Sequence, residues 1–152
     1  MIAEADIYMA SLFKCFDFGI LQRILFKLTE RHYDEEFLQL CRISDQICKI
    51  WADIQEYEED IERNVINTYR MFVRLYSIEA PQRLHQYMED LNSELQERLK
   101  LLKQTQPELA TKFIELWNAD LKLMKMWNPE TEEFAVPEIP APILEEGTTV
   151  SQ

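Results

Sequence analysis

Residues 43–61 read ISDQICKIWADIQEYEEDI, and their apolar positions recur every three or four residues. Glycine and proline are both absent from residue 34 to residue 77. This spacing places apolar side chains on one face of an α-helix. The stretch therefore predicts a long amphipathic helix. A helix of more than forty residues is unusual in a globular protein, so we expect a break at the polar residues Glu62-Arg63-Asn64. The apolar positions are Ile43, Ile47, Ile50, Ile54, Tyr57 and Ile61.

The remaining sequence extends the helical pattern in both directions. Apolar periodicity predicts helices over about residues 4–15 and 18–30, with Asp34 as the N-cap of the long helix. Further helices are expected to begin near Ser77, ahead of Pro81, and at Thr105-Gln106-Pro107. The chain of 152 residues has only two glycines and suits one core. These patterns predict an all-α antiparallel helical bundle over residues 1–127.

The composition changes after Trp127. Residues 128–152 contain Pro129, Pro137, Pro140 and Pro142 among several acids. Such a segment has too little apolar surface to pay for its own ordering. We therefore expect residues 128–152 to form a flexible acidic tail.

Charge and composition exclude several classes of partner. The formal net charge is −12, and the sequence shows no basic patch to attract a phosphate backbone, so nucleic acid is not an expected partner.

No apolar run reaches the length of a transmembrane helix, and the acidic start of the sequence does not resemble a secretory signal. Three cysteines without Cys-x-x-Cys spacing fit reduced thiols better than disulfides or zinc. The chain is expected to be soluble and cytoplasmic.

One acidic pattern points to chemistry. Asp53, Glu56 and Asp60 recur at helical spacing and are expected to project from one side of the long helix. Stacked carboxylates can hold a hard divalent cation such as Mg2+, which prefers oxygen ligands. The alternative is an ordinary solvated helix face.

The order of these features resembles the C-terminal half of bacterial-type class I terpene synthases. Residues 52–60 look like the Asn-Asp-x-x-Ser-x-x-x-Glu metal motif of that family, and residues 63–67 look like the segment that follows it. Ser77-Ile78-Glu79-Ala80 is similar to the family's Ser-Leu-Glu cap, and residues 127–134 are similar to its end. The resemblance implies half of a terpenoid-synthase helical fold and, if active, a Mg2+-dependent lyase acting on an isoprenyl diphosphate. In that comparison Glu56 and Asp60 would be metal ligands.

Three departures bear on activity. Ala52 stands where the family has a metal-ligating asparagine, and Glu133-Phe134 stands where it has an Arg-Tyr pair that contacts the diphosphate. An acid in place of that arginine opposes an anionic substrate. The family's aspartate-rich motif, from its N-terminal half, has no counterpart in this sequence. These departures predict that the isolated chain is incomplete or inactive as a synthase.

The sequence also allows other interpretations of its aromatic residues and of its function. Aromatic residues at helical spacing are usually core, although they could line a dry carbocation pocket. The chain could be a non-catalytic helical interaction module. Its apolar stripes would then be covered by a second copy or by a complementing subunit. A carboxylate-bridged metal bundle is a third class, for which the paired Glu-x-x-His motifs are missing. The aromatics are Trp51, Tyr57, Tyr69, Phe72, Trp117 and Trp127, and the stripes are Leu91, Leu95, Leu99 and Leu102, and Ile20, Ile24 and Leu28.

Overall fold

The computed structural model describes residues 3–30 and 34–145 and is predominantly helical, which confirms the all-α prediction. A 3-10 turn, Ser77–Glu79, joins the helices on either side of it. A two-stranded antiparallel hairpin follows the last helix and pairs Trp127 with Phe134. The elements are α1 Glu4–Lys14, α2 Phe16–Leu28, α3 Glu35–Gln55, α4 Tyr57–Glu62, α5 Thr68–Tyr76, α6 Ala80–Thr105, α7 Pro107–Leu123, β1 Trp127–Asn128 and β2 Glu133–Phe134.

Helix ends follow local signals. The Asp34 carboxylate accepts a hydrogen bond from the Glu36 amide at 2.9 Å and caps α3, as predicted. Both α6 and α7 carry a proline in the first turn, where its missing amide hydrogen costs nothing. The predicted break at residues 62–64 is also present, because α4 ends at Glu62.

Several turns adopt left-handed backbone conformations without glycine. Asn64, Ser77, Lys125 and Glu132 have φ angles of 53°, 54°, 57° and 55°. A side chain at such an angle is crowded against the backbone, so each of these turns carries some strain. The tight connections after α4, α5 and α7 are therefore closed by residues that bear side chains.

The core lies between α3 and α6, with α1, α5 and α7 packed around them. The apolar stripe of α3 faces inward as the spacing predicts, and Ile47 and Ile50 are fully buried. On α6, Leu91, Leu95, Leu99 and Leu102 are buried as well. The expectation that this α6 stripe needs a partner chain is wrong, because the neighbouring helices of the same chain already cover it.

The segment after the hairpin is packed, whereas the sequence predicted a flexible tail. Phe134, Val136 and Ile139 pack on the core, and the backbone of Pro140 and Ile143 is hydrogen-bonded to Tyr69 and Tyr57. The prediction of an unpacked tail does not hold here, because it considered only the segment's own apolar content. Polar side chains of α4 and α5 bind its backbone and complete its packing. Residues 146–152, the rest of the predicted tail, lie outside the described residues.

Candidate functional site

The three predicted metal-binding carboxylates do not share one helix. Asp53 lies in the last turn of α3, Glu56 is the junction residue, and Asp60 lies on α4. Asp53 and Asp60 are buried whereas Glu56 is exposed. Within residues 3–30 and 34–145, no group of three or more His, Cys, Asp or Glu side chains is arranged to hold a metal ion. The helix junction at Glu56, which the sequence did not predict, leaves Glu56 exposed while Asp53 and Asp60 are buried.

Asp53 is instead the centre of an internal charge pair. Its side chain is only 1% exposed, and the Lys14 ammonium on α1 lies 2.7 Å from both carboxylate oxygens. The amide of Thr68, the first residue of α5, donates to Asp53 Oδ2 at 2.8 Å. The carboxylate therefore ties α1 and α3 to the start of α5, where the helix dipole also favours a negative charge.

Asn67 connects the second carboxylate to the same network. It is fully buried, and its Nδ2 donates to the Asp53 carbonyl oxygen at 2.6 Å and to Asp60 Oδ2 at 2.9 Å. Its Oδ1 accepts from the Arg70 amide at 3.1 Å and caps α5. A Mg2+ ion at Asp53 would have to displace Lys14, so the geometry suits anchoring of the α4–α5 loop. The Mg2+ site stays a prediction.

The aromatic side chains are mostly core. Tyr57, Tyr69, Phe72 and Trp117 are buried, which agrees with the core interpretation. The rings of Tyr57 and Tyr69 lie 4.4 Å apart between centroids. Trp51 and Trp127 are partly buried at the edge of the core.

An open groove of about 660 Å³ lies between the α3–α4 junction, the end of α7 and the segment after the hairpin. Trp51 and Tyr57 line it, together with one cation, Lys125, and two acids, Glu58 and Glu138. Excess negative charge in a groove repels an anionic ligand. The groove is therefore poorly suited to an isoprenyl diphosphate.

A large apolar surface is present elsewhere, on α1 and α2. Nine large apolar side chains of these helices are 40–77% exposed, and none of the thirteen residues of α2 is buried. We call this surface the α1–α2 face. Sequence reasoning singled out its Ile20, Ile24 and Leu28 but missed the phenylalanines at the corner between the helices. The signal for them was that α2 is apolar around most of its circumference. The face consists of Met9, Phe13, Phe16, Phe18, Ile20, Leu21, Ile24, Leu25 and Leu28.

Few contacts fix α2 to the rest of the protein. Phe26 meets Phe37 edge to face at 6.4 Å, and Arg23 forms an ion pair with Glu35 at 2.7 Å. A cavity of about 300 Å³, lined by Phe16, Ile20 and Leu38 among others, lies between the α1–α2 corner and α3. The side of α2 that faces its own chain is therefore only partly filled.

The cysteines do not add a reactive centre. Cys15, Cys41 and Cys48 are free thiols. Burial raises the pKa of Cys15 to about 11 and the pKa values of Cys41 and Cys48 to about 12. A buried thiol with a raised pKa is a weak nucleophile at neutral pH.

Comparison of the chain with known protein families, characterised proteins and solved structures gives no match. Within the part of the chain that the structure describes, every helix is too short or too polar to cross a bilayer. The candidate surfaces are therefore judged on their own geometry.

Proposed function

We propose that this chain is a helical interaction module that pairs with a second copy of itself through the α1–α2 face. The observation that carries the proposal is the exposure of nine large apolar side chains on two consecutive helices. Monomeric proteins rarely leave such a patch in contact with water, and large patches commonly mark protein–protein interfaces. The α1–α2 face is the part of the described surface with the most to gain from burial.

Charge favours a second copy at this face. The whole chain carries −12, so two copies repel each other over most of their surfaces. Helix α2 is different, because it contains one acid, Asp17, and two bases, Arg23 and Lys27. Two copies can therefore approach through α2 without bringing like charges together.

The sequence of α2 is also self-complementary in an antiparallel arrangement. With the two-fold axis between Leu21 and Leu25, Leu21 lies opposite Leu25 of the second copy and Phe18 lies opposite Leu28. These four side chains are 60–77% exposed in the single chain. Gly19, Ile20 and Arg23 lie on the other side of the helix and line the cavity toward α3. A self-complementary patch of this kind generates a closed dimer.

The proposal predicts that Leu25→Glu converts the dimer to a monomer. Leu25 is 61% exposed in the single chain, and burying a leucine contributes about 1.5–3 kcal/mol. The change occurs in both copies and also buries a charge, so the dissociation constant should rise on the order of a hundredfold or more. Light scattering coupled to size-exclusion chromatography measures the mass directly. Leu116→Glu, at a 69% exposed leucine of α7, is the matched control and should leave the dimer intact.

Salt provides a second readout of the same association. Screening weakens the repulsion between two acidic chains, so dimerisation should strengthen as ionic strength rises. A wild-type chain that stays monomeric at both low and high salt would overturn the proposal. If that monomer instead bound a different protein through Leu25, a complementing subunit would replace the second copy.

Metal-dependent isoprenyl diphosphate chemistry is the alternative that the terpene-synthase resemblance implies. It predicts that a metal ion and a diphosphate stabilise the protein. If Asp53, Glu56 and Asp60 hold Mg2+, saturating Mg2+ with farnesyl diphosphate should raise the melting temperature by about 5 °C or more. Glu56→Gln combined with Asp60→Asn should abolish that rise. Glu58→Gln combined with Glu62→Gln, at exposed neighbouring acids, is the control. Differential scanning calorimetry that detects no rise in the wild type would favour the interaction module.

A further inference from the structure

The chain holds part of itself as an extended peptide. Residues 135–145, here called the C-terminal segment, read AVPEIPAPILE and form neither helix nor strand. They lie along α4 and α5, whose buried side chains bind them. Tyr69 donates to the Pro140 carbonyl oxygen, and the Ile143 amide donates to Tyr57 Oη at 2.9 Å. These hydrogen bonds are made to the peptide backbone, so they do not depend on which side chains the segment carries.

One side chain of the C-terminal segment, that of Glu145, is bound directly. Arg70 forms a bidentate pair with Glu145, in which Nε and Nη2 each lie 2.7 Å from a carboxylate oxygen. Arg74 adds a third contact to the same carboxylate at 3.2 Å. The fork geometry of a guanidinium matches a carboxylate specifically. The surface formed by Tyr57, Tyr69, Arg70 and Arg74, here called the peptide groove, therefore recognises an extended backbone that ends in an acidic side chain.

The peptide groove is also held by contacts that do not involve the segment. The Arg70 side chain also donates to the Val65 carbonyl oxygen at 3.1 Å and to Asn64 Oδ1 at 3.0 Å, and these contacts hold the guanidinium in place. Tyr57 and Tyr69 belong to the core cluster, and their ring centroids lie 4.4 Å apart. Preorganised donors lose little freedom on binding, which is what a recognition site requires.

We infer that the peptide groove is a recognition site for extended acidic segments, which the C-terminal segment occupies in cis and a partner's segment of the same chemistry can take over. Its ligand is defined by the two backbone contacts and by a carboxylate five residues after the first of them. The site is separate from the α1–α2 face and does not depend on dimerisation. A tethered ligand competes at an effective concentration on the order of millimolar, so the cis segment keeps the groove closed until it is weakened.

The test is peptide binding to the full chain. A fluorescein-labelled, C-terminally amidated AVPEIPAPILE peptide is titrated with the wild type, with Glu145→Gln and with Glu138→Gln by fluorescence polarisation. Glu145→Gln removes the charge that holds the cis segment, so the peptide should bind this variant at least tenfold more tightly than it binds the wild type. Glu138 lies on the same segment without a described ion pair, so Glu138→Gln should match the wild type. A peptide with glutamine in place of its last glutamate should bind Glu145→Gln at least tenfold more weakly.

Two results would overturn the inference. One is equal binding of the glutamate and glutamine peptides. The other is no binding to a Glu145→Gln variant whose circular dichroism and melting match the wild type. If that variant does not fold, the Arg70 side-chain NMR signals of the wild type are measured with an excess of spin-labelled peptide. Paramagnetic broadening by the glutamate peptide alone supports exchange, and no broadening by either peptide refutes it.

Discussion

Asp53→Ala should lower the free energy of unfolding by about 3–5 kcal/mol, because it removes one partner of a buried ion pair. The substitution leaves the Lys14 ammonium without its carboxylate and the Thr68 amide without its acceptor. Lys14 is 21% exposed and can turn toward water, which favours the lower end of this range. Urea denaturation followed by circular dichroism measures the effect.

Two further variants separate this role from metal binding. Glu56→Ala, at the exposed junction residue, should change stability by no more than about 0.5 kcal/mol. Replacing both members of the pair, with Lys14→Met and Asp53→Leu, should restore part of the loss, because neither charge is then left unpaired. A negligible cost for Asp53→Ala would contradict the anchoring role.

Leu95→Ala should cost about 2–5 kcal/mol, the usual range for emptying a fully buried leucine site. Leu95 is 0% exposed and faces the helices around α6. Leu25→Ala on α2 is the paired control. In dilute monomer it should change stability by no more than about 0.5 kcal/mol, because Leu25 makes few contacts within its own chain. Thermal unfolding of both variants at low concentration provides the comparison.

The pair of variants tests which apolar stripe is covered by the chain itself. Similar losses at both positions would mean that α2 packs as tightly as α6. A small loss at Leu95 would mean that α6 lacks the cover described above. Either outcome would contradict the assignment of the open surface to the α1–α2 face.

Local signals in the sequence predicted the helices well. The three-and-four spacing from Ile43 to Ile54 fixed the buried side of α3, and Asp34 and Pro107 marked helix starts. Each of these signals acts over one or two helical turns, so it can be read without knowing the fold.

The carboxylate network depended on contacts that no local pattern reveals. Asp53 pairs with Lys14, 39 residues earlier in the chain, and Asp60 meets Asn67 across a loop. Helical spacing alone placed Asp53, Glu56 and Asp60 on one face, whereas Asp53 and Asp60 are buried in one network and Glu56 is exposed. The C-terminal segment was misjudged for a related reason. Its partners, Tyr57 and Arg70, lie 86 and 75 residues away in sequence.

The left-handed turns affect the unfolded chain as well as the folded one. With only two glycines in 152 residues, the unfolded polypeptide has fewer backbone conformations to lose than a glycine-rich chain of the same length. At Asn64, Ser77, Lys125 and Glu132 this entropic advantage is offset by folded-state strain of about 1–2 kcal/mol per residue. The unfolded chain therefore loses less backbone entropy on folding, and the folded-state strain falls on these four residues and on Glu30, which has a φ of 53°. The described connections between its helices therefore contain no glycine.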